Sequence, residues 1–394
     1  DYLGNWEYRA GNGNVEEALL LRYLKRRKYA DKEIDKAVAK FKQAAANIGA
    51  GQYNANREVY TLLRYGVNVQ SDVSERKKTV HLIDWANPME NDFQIAEEVT
   101  VQGKSDRRPD LVVYVNGIAV AVIELKRSTV SVHEGIRQNI RNQQDEYISR
   151  FFTTVQLLCA GNDTEGLHYG VIKTSEKFWL RWKEPCGEPC EPSQFTPERY
   201  PNELDRSVLQ FFEQHRLLEF IHDFIIFDGG IKKAARPNQY FAIKAAQPRV
   251  RSKENGIIWH SQGSGKSLTM VWLAQWIREN VTDARVVVIT DRDELDKQIE
   301  SGFKDAGEKI CRARSGGQLV SMLNEAEPWL ICTLIHKFGS KNDQGGISVG
   351  GRKAVKTLDL YLEEVAKNLP QGFRAKGNIY VFVDECHRSQ GGML

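Results

Sequence analysis

The 394-residue chain reads as an α/β protein with two sheets of different kinds, a mixed sheet in its N-terminal half and a doubly wound parallel sheet in its C-terminal half. Three observations predict this. Apolar runs at 111–115 and 118–123 are joined by Asn116-Gly117, the strongest short-range hairpin signal, because both turn residues must accept positive φ. From Gly256 onward, short apolar runs alternate with helical stretches, as in a parallel sheet covered on both faces. Between the halves, five of the eleven prolines fall at 185, 189, 192, 197 and 201 with no periodicity around them, which reads as a linker. The expected domains are therefore 1–184 and 207–394, with the linker at 185–206.

The elements follow in order. Residues 14–47 are predicted helical, with Leu19, Leu20 and Tyr23, then Ile34, Val38 and Phe41, at helical spacing. A helix at 54–65 carries Glu58, Tyr60, Leu62 and Leu63. After the hairpin at 111–126 comes a helix at 132–150, then strands at 154–160, 167–174 and 178–182. Residues 208–227 form an aromatic-rich helical region. The second half has expected strands at 256–260, 285–290, 329–334 and 379–383, and a Gly/Ser/Asp-rich loop at 339–351.

Composition narrows the class. A 27% charged, 41% hydrophobic chain fits a soluble globular protein, and its length calls for two or more domains. The net charge of +3 confines nucleic-acid binding to local basic patches. No apolar run approaches the ~20 residues that span a bilayer, and the polar start carries no signal peptide. Scattered cysteines suit the cytoplasm. Cys186 and Cys190 are the close pair, and without a second pair nearby they read as free thiols. The chain lacks an initial methionine and stops at Leu394, as a fragment trimmed at both ends would.

The chemistry starts at the hairpin. Arg108-Pro109-Asp110 opens the first strand, and Glu124-Leu125-Lys126 closes the second. Two carboxylates and a lysine at one end of a small sheet are what metal-dependent phosphodiester cleavage needs. Asp110 and Glu124 would hold Mg²⁺, and Lys126 would steady or deprotonate the attacking water. Glu124 and Lys126 share a strand face, about 6.6 Å apart. In a regular two-residue hairpin, however, Asp110 pairs with Ile123 and faces away from Glu124. The site thus requires Pro109 or a nearby bulge to turn Asp110 toward Glu124.

A second site lies downstream. The run 256–260 leads into Ser261-Gln262-Gly263-Ser264-Gly265-Lys266-Ser267, and a helix with Leu268, Val271, Trp272 and Trp276 on one face follows. Backbone N–H groups around Gly263, Ser264 and Gly265 would cradle phosphates. Lys266 would reach the β/γ-phosphates, and the Ser267 hydroxyl would ligate Mg²⁺. The usual first glycine of this loop is His260 here. The apolar strand 379–383 delivers Asp384-Glu385 at its end, where Asp384 would hold Mg²⁺ through water and Glu385 would polarise the attacking water.

Asp384-Glu385-Cys386-His387 resembles the signature of superfamily 2 helicases and translocases of the DEAD-box and DExH type. Arg236-Pro237-Asn238-Gln239 resembles their adenine-reading motif, with Gln239 on the adenine edge and Arg236 supporting it. The run 290–295, with Arg292, and Thr333 sit where nucleic-acid contacts of that superfamily are expected. Between the sites, Ile136, Ile140, Gln143 and Tyr147 fall on one helical face, so Gln143 interrupts an apolar stripe. It either caps a neighbouring backbone group or faces the nuclease site. The spacing Gln143-x-x-x-Tyr147 resembles the Q-x-x-x-Y motif that follows the PD-(D/E)xK core in some nucleases, which favours the second option.

Taken in order with Asn91-Asp92-Phe93 and Gln239-Tyr240-Phe241, these motifs resemble the restriction (R) subunit of type I restriction–modification enzymes over nearly the whole chain. That family tolerates His260. The resemblance implies a PD-(D/E)xK restriction-endonuclease-like domain joined to the first RecA-like P-loop NTPase lobe of a double-strand DNA translocase. It implies Mg²⁺ and ATP as cofactors and methyltransferase (M) and specificity (S) subunits as partners. Asp110, Glu124 and Lys126 would cut, with Gln143 and Tyr147 in support and Glu58 as an extra acid. Lys266, Ser267, Asp384 and Glu385 would act on Mg-ATP. A motor needs two such lobes, so the chain alone is expected to bind ATP weakly and to hydrolyse it negligibly. Two alternatives remain: a superfamily 2 helicase or repair ATPase with an appended nuclease-like domain, and a non-catalytic DNA-binding scaffold.

Overall fold

The computed structural model describes residues 1–70, 76–185, 198–290, 300, 302–304, 307–334 and 373–384. By its contacts the chain divides into two compact units, 1–245 and 246–394. In the first, β1 (Tyr2–Asn5) leads into α1 (Glu17–Arg26), α2 (Asp31–Ala46) and α3 (Gln52–Tyr65). A ribbon of β2 (Val67–Val69) and β3 (Lys78–Val80) follows, then β4 (Phe93–Glu97), β5 (Leu111–Val115), β6 (Ile118–Leu125), α4 (Val132–Asn142), β7 (Leu157–Asn162), β8 (Gly166–Gly170) and β9 (Leu180–Arg181). The unit continues through α5 (Glu203–Phe211), α6 (Gln214–Asp223), β10 (Ile225–Asp228) and β11 (Ile231–Ala234). Helix α7 (Pro237–Ser252) contains the division. The second unit has α8 (Lys266–Asn280), β12 (Ala284–Thr290), β13 (Cys311–Arg312), α9 (Gly316–Asn324), β14 (Leu330–Leu334) and β15 (Asn378–Val383).

Both sheets have the expected character. The first is seven-stranded and mixed, in the order β1-β4-β5-β6-β7-β8-β9. Its central strands β5 and β6 are buried along nearly their whole length, and α4 is the crossover that lets β7 run parallel to β6. The turn between β5 and β6 has φ 52° at Asn116 and 79° at Gly117. Gly117 is required there for a second reason, since a Cβ would lie 2.7 Å from the Glu16 carbonyl oxygen. Asn116 is clamped by Asn91, whose Oδ1 accepts from Asn116 Nδ2 at 2.8 Å. The second sheet is wholly parallel, in the order β13-β14-β12-β15.

Differences from expectation have local causes. The helix expected over 132–150 ends at Asn142, and residues 149–153 form a separate 3₁₀ turn. The helical region expected through 227 breaks after Phe211 and becomes strand β10 at Ile225. Residues 256–260 are not a strand: they pair with no other strand among the described residues, and Ile257 and Trp259 are exposed. Residues 335–372, 186–197 and 385–394 lie outside the described residues, and with them the loop at 339–351, Cys186, Cys190 and Glu385.

By contacts, residues 198–245 group with the first unit. An aromatic cluster explains why. Trp182 stacks against Phe211 (4.7 Å between centroids) and Tyr240 (5.5 Å), and Tyr169 lies 5.0 Å from Phe211. Tyr169 Oη donates to the Ala235 carbonyl at 2.6 Å. Each ring removes on the order of 150–250 Å² from water, so the elements from α5 to the start of α7 close over β8 and β9. A polar tie completes the attachment. Lys232 on β11 is buried and donates to Asn56 Oδ1 (2.7 Å) and Gln156 Oε1 (2.6 Å), while burial pushes its pKa well down.

The second unit has its own node. Arg285 on β12 is 2% exposed, and its guanidinium donates to the carbonyls of Met322, Leu323, Glu325, Pro328 and Lys376 at 2.7–3.3 Å. Among the described residues no helix is long and apolar enough to cross a membrane. Replacing Arg285 by Met removes its five hydrogen bonds to these part-buried carbonyls, of which, among the described residues, only those of Met322 and Leu323 keep a backbone donor, Glu325 N and Lys376 N. It should destabilise the second unit by about 3 kcal/mol or more, read as a lower urea midpoint for that unit with the first unit's transition unmoved.

Candidate nuclease and phosphate-binding sites

The pairing of β5 with β6 slips by one residue. Val115 faces Ile118 and Tyr114 faces Ala119, but Val113 faces Ala121, so Val120 is an extra, bulged residue. Beyond the bulge Leu111 faces Ile123. Asp110, next in β5's line, therefore stands opposite Glu124 and on its face of the sheet. This is the twist that the sequence required.

The three side chains converge. Lys126 Nζ lies 3.5 Å from Asp110 Oδ2 and 4.0 Å from Glu124 Oε2. Asp110 is fixed by the Leu125 amide, which donates to Oδ2 at 2.6 Å. Its own backbone is held from the other side, because Glu98 N donates to the Asp110 carbonyl (2.8 Å) and Val99 N to that of Pro109 (3.1 Å). Glu124 is fully buried. Its Oε1 accepts from Asn142 Nδ2 at 3.3 Å, and its Oε2 has no hydrogen-bond partner. A buried carboxylate oxygen without a donor, beside a second carboxylate, fits a hard divalent cation with oxygen ligands. Asp110 and Glu124 are the carboxylates that could hold one.

Burial first, and then the charge of Asp110, push the Glu124 pKa well above its ordinary value near 4.5. Lys126 opposes this only in part.

Helix α4 approaches this site closely because of Gly135. A Cβ there would lie 3.1 Å from Ala160 Cβ and 3.3 Å from the Glu124 carbonyl oxygen. The buried face of α4 is Val132, Gly135, Ile136, Asn139 and Asn142. Asn139 donates to the Cys159 carbonyl at 2.9 Å, and Asn142 reaches Glu124. The sequence reading missed Asn142. The signal was two asparagines three residues apart on an otherwise apolar helical face.

Gln143 takes the capping role instead. Its Nε2 donates to the Asn139 carbonyl (2.9 Å), and its Oε1 accepts from Lys173 N (2.8 Å). Both amide ends thus bind backbone. Tyr147 lies past the end of α4, and the guanidinium of Arg107 stacks 3.8 Å over its ring. Glu58 lies on the exposed face of α3, and no hydrogen bond or ion pair among the described residues ties it to the site.

In the second unit the glycine-rich run turns into a helix. Gly263 and Gly265 adopt φ 76° and 90°. Ser264 Oγ donates to the Ser261 carbonyl at 2.7 Å. Lys266 and Ser267 open α8, with Gly265 as its N-cap, so the positive end of the helix dipole lies at the loop. Asp384 follows β15, is buried, and is held by its amide to the Ile289 carbonyl at 3.0 Å. Thr333 on β14 is also buried. Arg236 and Gln239 lie in the first unit by contacts, where Gln239 Oε1 accepts from Arg236 N at 2.9 Å. Glu385 and Arg292 lie outside the described residues.

Known proteins divide along the same lines. Residues 1–177 match the family described as type I restriction enzyme R protein N terminus. Residues 238–394 match the SWI2/SNF2 ATPase family. Among curated relatives, the chain is 27% identical over 383 residues to the putative type I restriction enzyme MjaIXP endonuclease subunit of Methanocaldococcus jannaschii, covering 89% of this chain and 34% of that protein. It is 25% identical over 359 residues to the type I restriction enzyme HindI endonuclease subunit of Haemophilus influenzae, covering 86% and 32%. The chain spans about a third of the length of the curated relatives it matches.

The raised pKa of Glu124 has a stability consequence. Between about 4.5 and its raised value, the folded state keeps a proton that the unfolded chain has released. Stability therefore falls as pH rises through that window. Glu124→Gln should raise the melting temperature of the metal-free chain in alkaline buffer. The gain should vanish toward about pH 4.5, as followed by thermal melts in EDTA.

Proposed function

With the R-protein N terminus at 1–177 and the SWI2/SNF2 ATPase at 238–394 as premise, we propose that the chain carries the DNA-cutting domain and the first motor lobe of a type I restriction subunit. The observation that supports this best is the convergence of Asp110, Glu124 and Lys126, with Glu124 Oε2 buried and lacking a donor. A scaffold that merely bound DNA would gain nothing from burying a carboxylate oxygen unsatisfied, at a cost of about 1–3 kcal/mol or more.

Mg²⁺ bound by Asp110 and Glu124 would supply Lewis-acid charge at the phosphoryl oxygen and at the attacking water. The protein's own groups do the rest. The Leu125 amide and the strand pairing at 98–99 hold Asp110 still. Asn142 orients Glu124. Lys126, within 4.0 Å of both acids, is placed to steady the incoming water or to take its proton.

In the other unit, the loop amides and Lys266 would cradle the β- and γ-phosphates of ATP. Ser267 and Asp384 would hold its Mg²⁺, and Glu385 would polarise the attacking water. Arg236 and Gln239 would serve the adenine. ATP hydrolysis then drives movement along double-stranded DNA in a cytoplasmic complex with methyltransferase and specificity subunits.

The test is ATP-dependent plasmid cleavage by the reconstituted complex. Lys126→Ala and Asp110→Ala should lower cutting by about 10²-fold or more while translocation, followed by triplex displacement, continues. Lys266→Ala should abolish both. Cutting unchanged in Asp110→Ala would refute the nuclease assignment.

A further inference from the structure

Beside Lys126 the first unit opens into a cleft of about 370 Å³, lined by Arg107, Lys126, Glu134, Gln138, Arg141 and Asn142. Three cations thus face one carboxylate, and that carboxylate is already engaged, since Glu134 pairs with Arg137 at 2.8 Å. Arg107 and Arg141 have no ion pair among the described residues. Many other arginines of this unit are paired, among them Arg9, Arg26, Arg27, Arg108 and Arg216. Unneutralised guanidinium groups facing one cleft, with an amide donor from Gln138 beside them, make a receptor for an oxyanion.

Arg107 is also held in place. Arg107 exchanges both backbone hydrogen bonds with Val101, at 2.8 and 3.1 Å. Its Nη1 donates to the Asp106 carbonyl at 2.9 Å, and its plane lies on the Tyr147 ring. The loop bearing Arg107 is laced to the turn bearing Tyr147, for Ser105 N donates to the Glu146 carbonyl at 3.0 Å. Gly103 permits the approach, because a Cβ there would lie 2.3 Å from the Tyr147 carbonyl oxygen. Arg141 comes from the last turn of α4, the same turn that sends Asn142 to Glu124.

We propose that this cleft is a subsite for a DNA backbone phosphate next to the one being cut, with Arg107 and Arg141 as its binding groups and Tyr147 as the positioning residue for Arg107. The assignment rests on the nuclease reading above and extends it to how the strand is seated. A phosphate seated there, beside Lys126, sets the register of the neighbouring phosphodiester over the two acids.

The experiment is binding of a short fluorescent duplex by the full chain, with Ca²⁺ in place of Mg²⁺, from about 50 to about 200 mM KCl. Arg107→Ala and Arg141→Ala should each weaken binding about tenfold. Each should also flatten the slope of log affinity against log salt by about 0.9, whereas Arg141→Lys should keep the wild-type slope. Tyr147→Phe should bind as wild type. Tyr147→Ala should weaken binding, but not when Arg107 is already alanine. Wild-type affinity and slope in both arginine-to-alanine variants, with their thermal melts unchanged, would overturn the subsite. An equal effect of Tyr147→Ala in both backgrounds would overturn the positioning role. Asp110→Ala separates the two readings. Cleavage intact there with flattened slopes in the arginine variants leaves the anion site standing and removes the nuclease. Cleavage lost there with arginine variants like wild type does the reverse.

Discussion

Val120 has no opposite number in β5, and that one unmatched position turns Asp110 from the face of Ile123 to the face of Glu124. Side chains alternate along a strand, so a slip of one residue exchanges the two faces for everything beyond it. Without the bulge the two carboxylates would point to opposite sides of the sheet. The remaining parts of the site depend on this register. The Leu125 amide finds Asp110 Oδ2, Lys126 comes within reach of both acids, and α4, brought close by Gly135, lays Asn142 on Glu124.

The first unit handles two buried charged groups in opposite ways. Lys232 is surrounded by acceptors, Asn56 and Gln156, which fix it between a ribbon and the sheet. Glu124 has one long hydrogen bond and an oxygen with none. The first arrangement is complete in itself and reads as structure. The second has Lys126 only at 4.0 Å and no hydrogen-bond donor on Oε2, and a protein tolerates such a deficit where function needs it.

Much of this was legible in the chain. The turn residues Asn116 and Gly117 announced the hairpin, and the run from Gly263 to Ser267 announced a glycine turn before a helix. The apolar pattern could not locate the bulge, because β5 and β6 are buried on both faces and their runs do not alternate; only the need to bring Asp110 to Glu124 called for one. Gln143 drew attention as a polar break in an apolar stripe, yet the buried face of α4 passes through Asn139 and Asn142, and Gln143 caps the helix end. The extent of the first unit was hidden as well. Prolines mark irregular backbone, but they carry no record of Trp182 and Tyr169 gathering aromatic residues from beyond residue 200.

Arg285 gathers its five carbonyls from 322–328 and from Lys376. These partners are made later on the ribosome than the arginine itself, the last of them some ninety residues later. Strand β12 is central in its sheet, and its neighbours β14 and β15 are also later in the chain. Nascent chains of this protein therefore cannot complete the carbonyl set around Arg285, or pair β12 with both of its neighbours, until residues 376–383 have left the exit tunnel. The first unit needs nothing beyond residue 245 to close its own core. Vectorial synthesis thus delivers every residue of the first unit while β12 still waits for both of its neighbours.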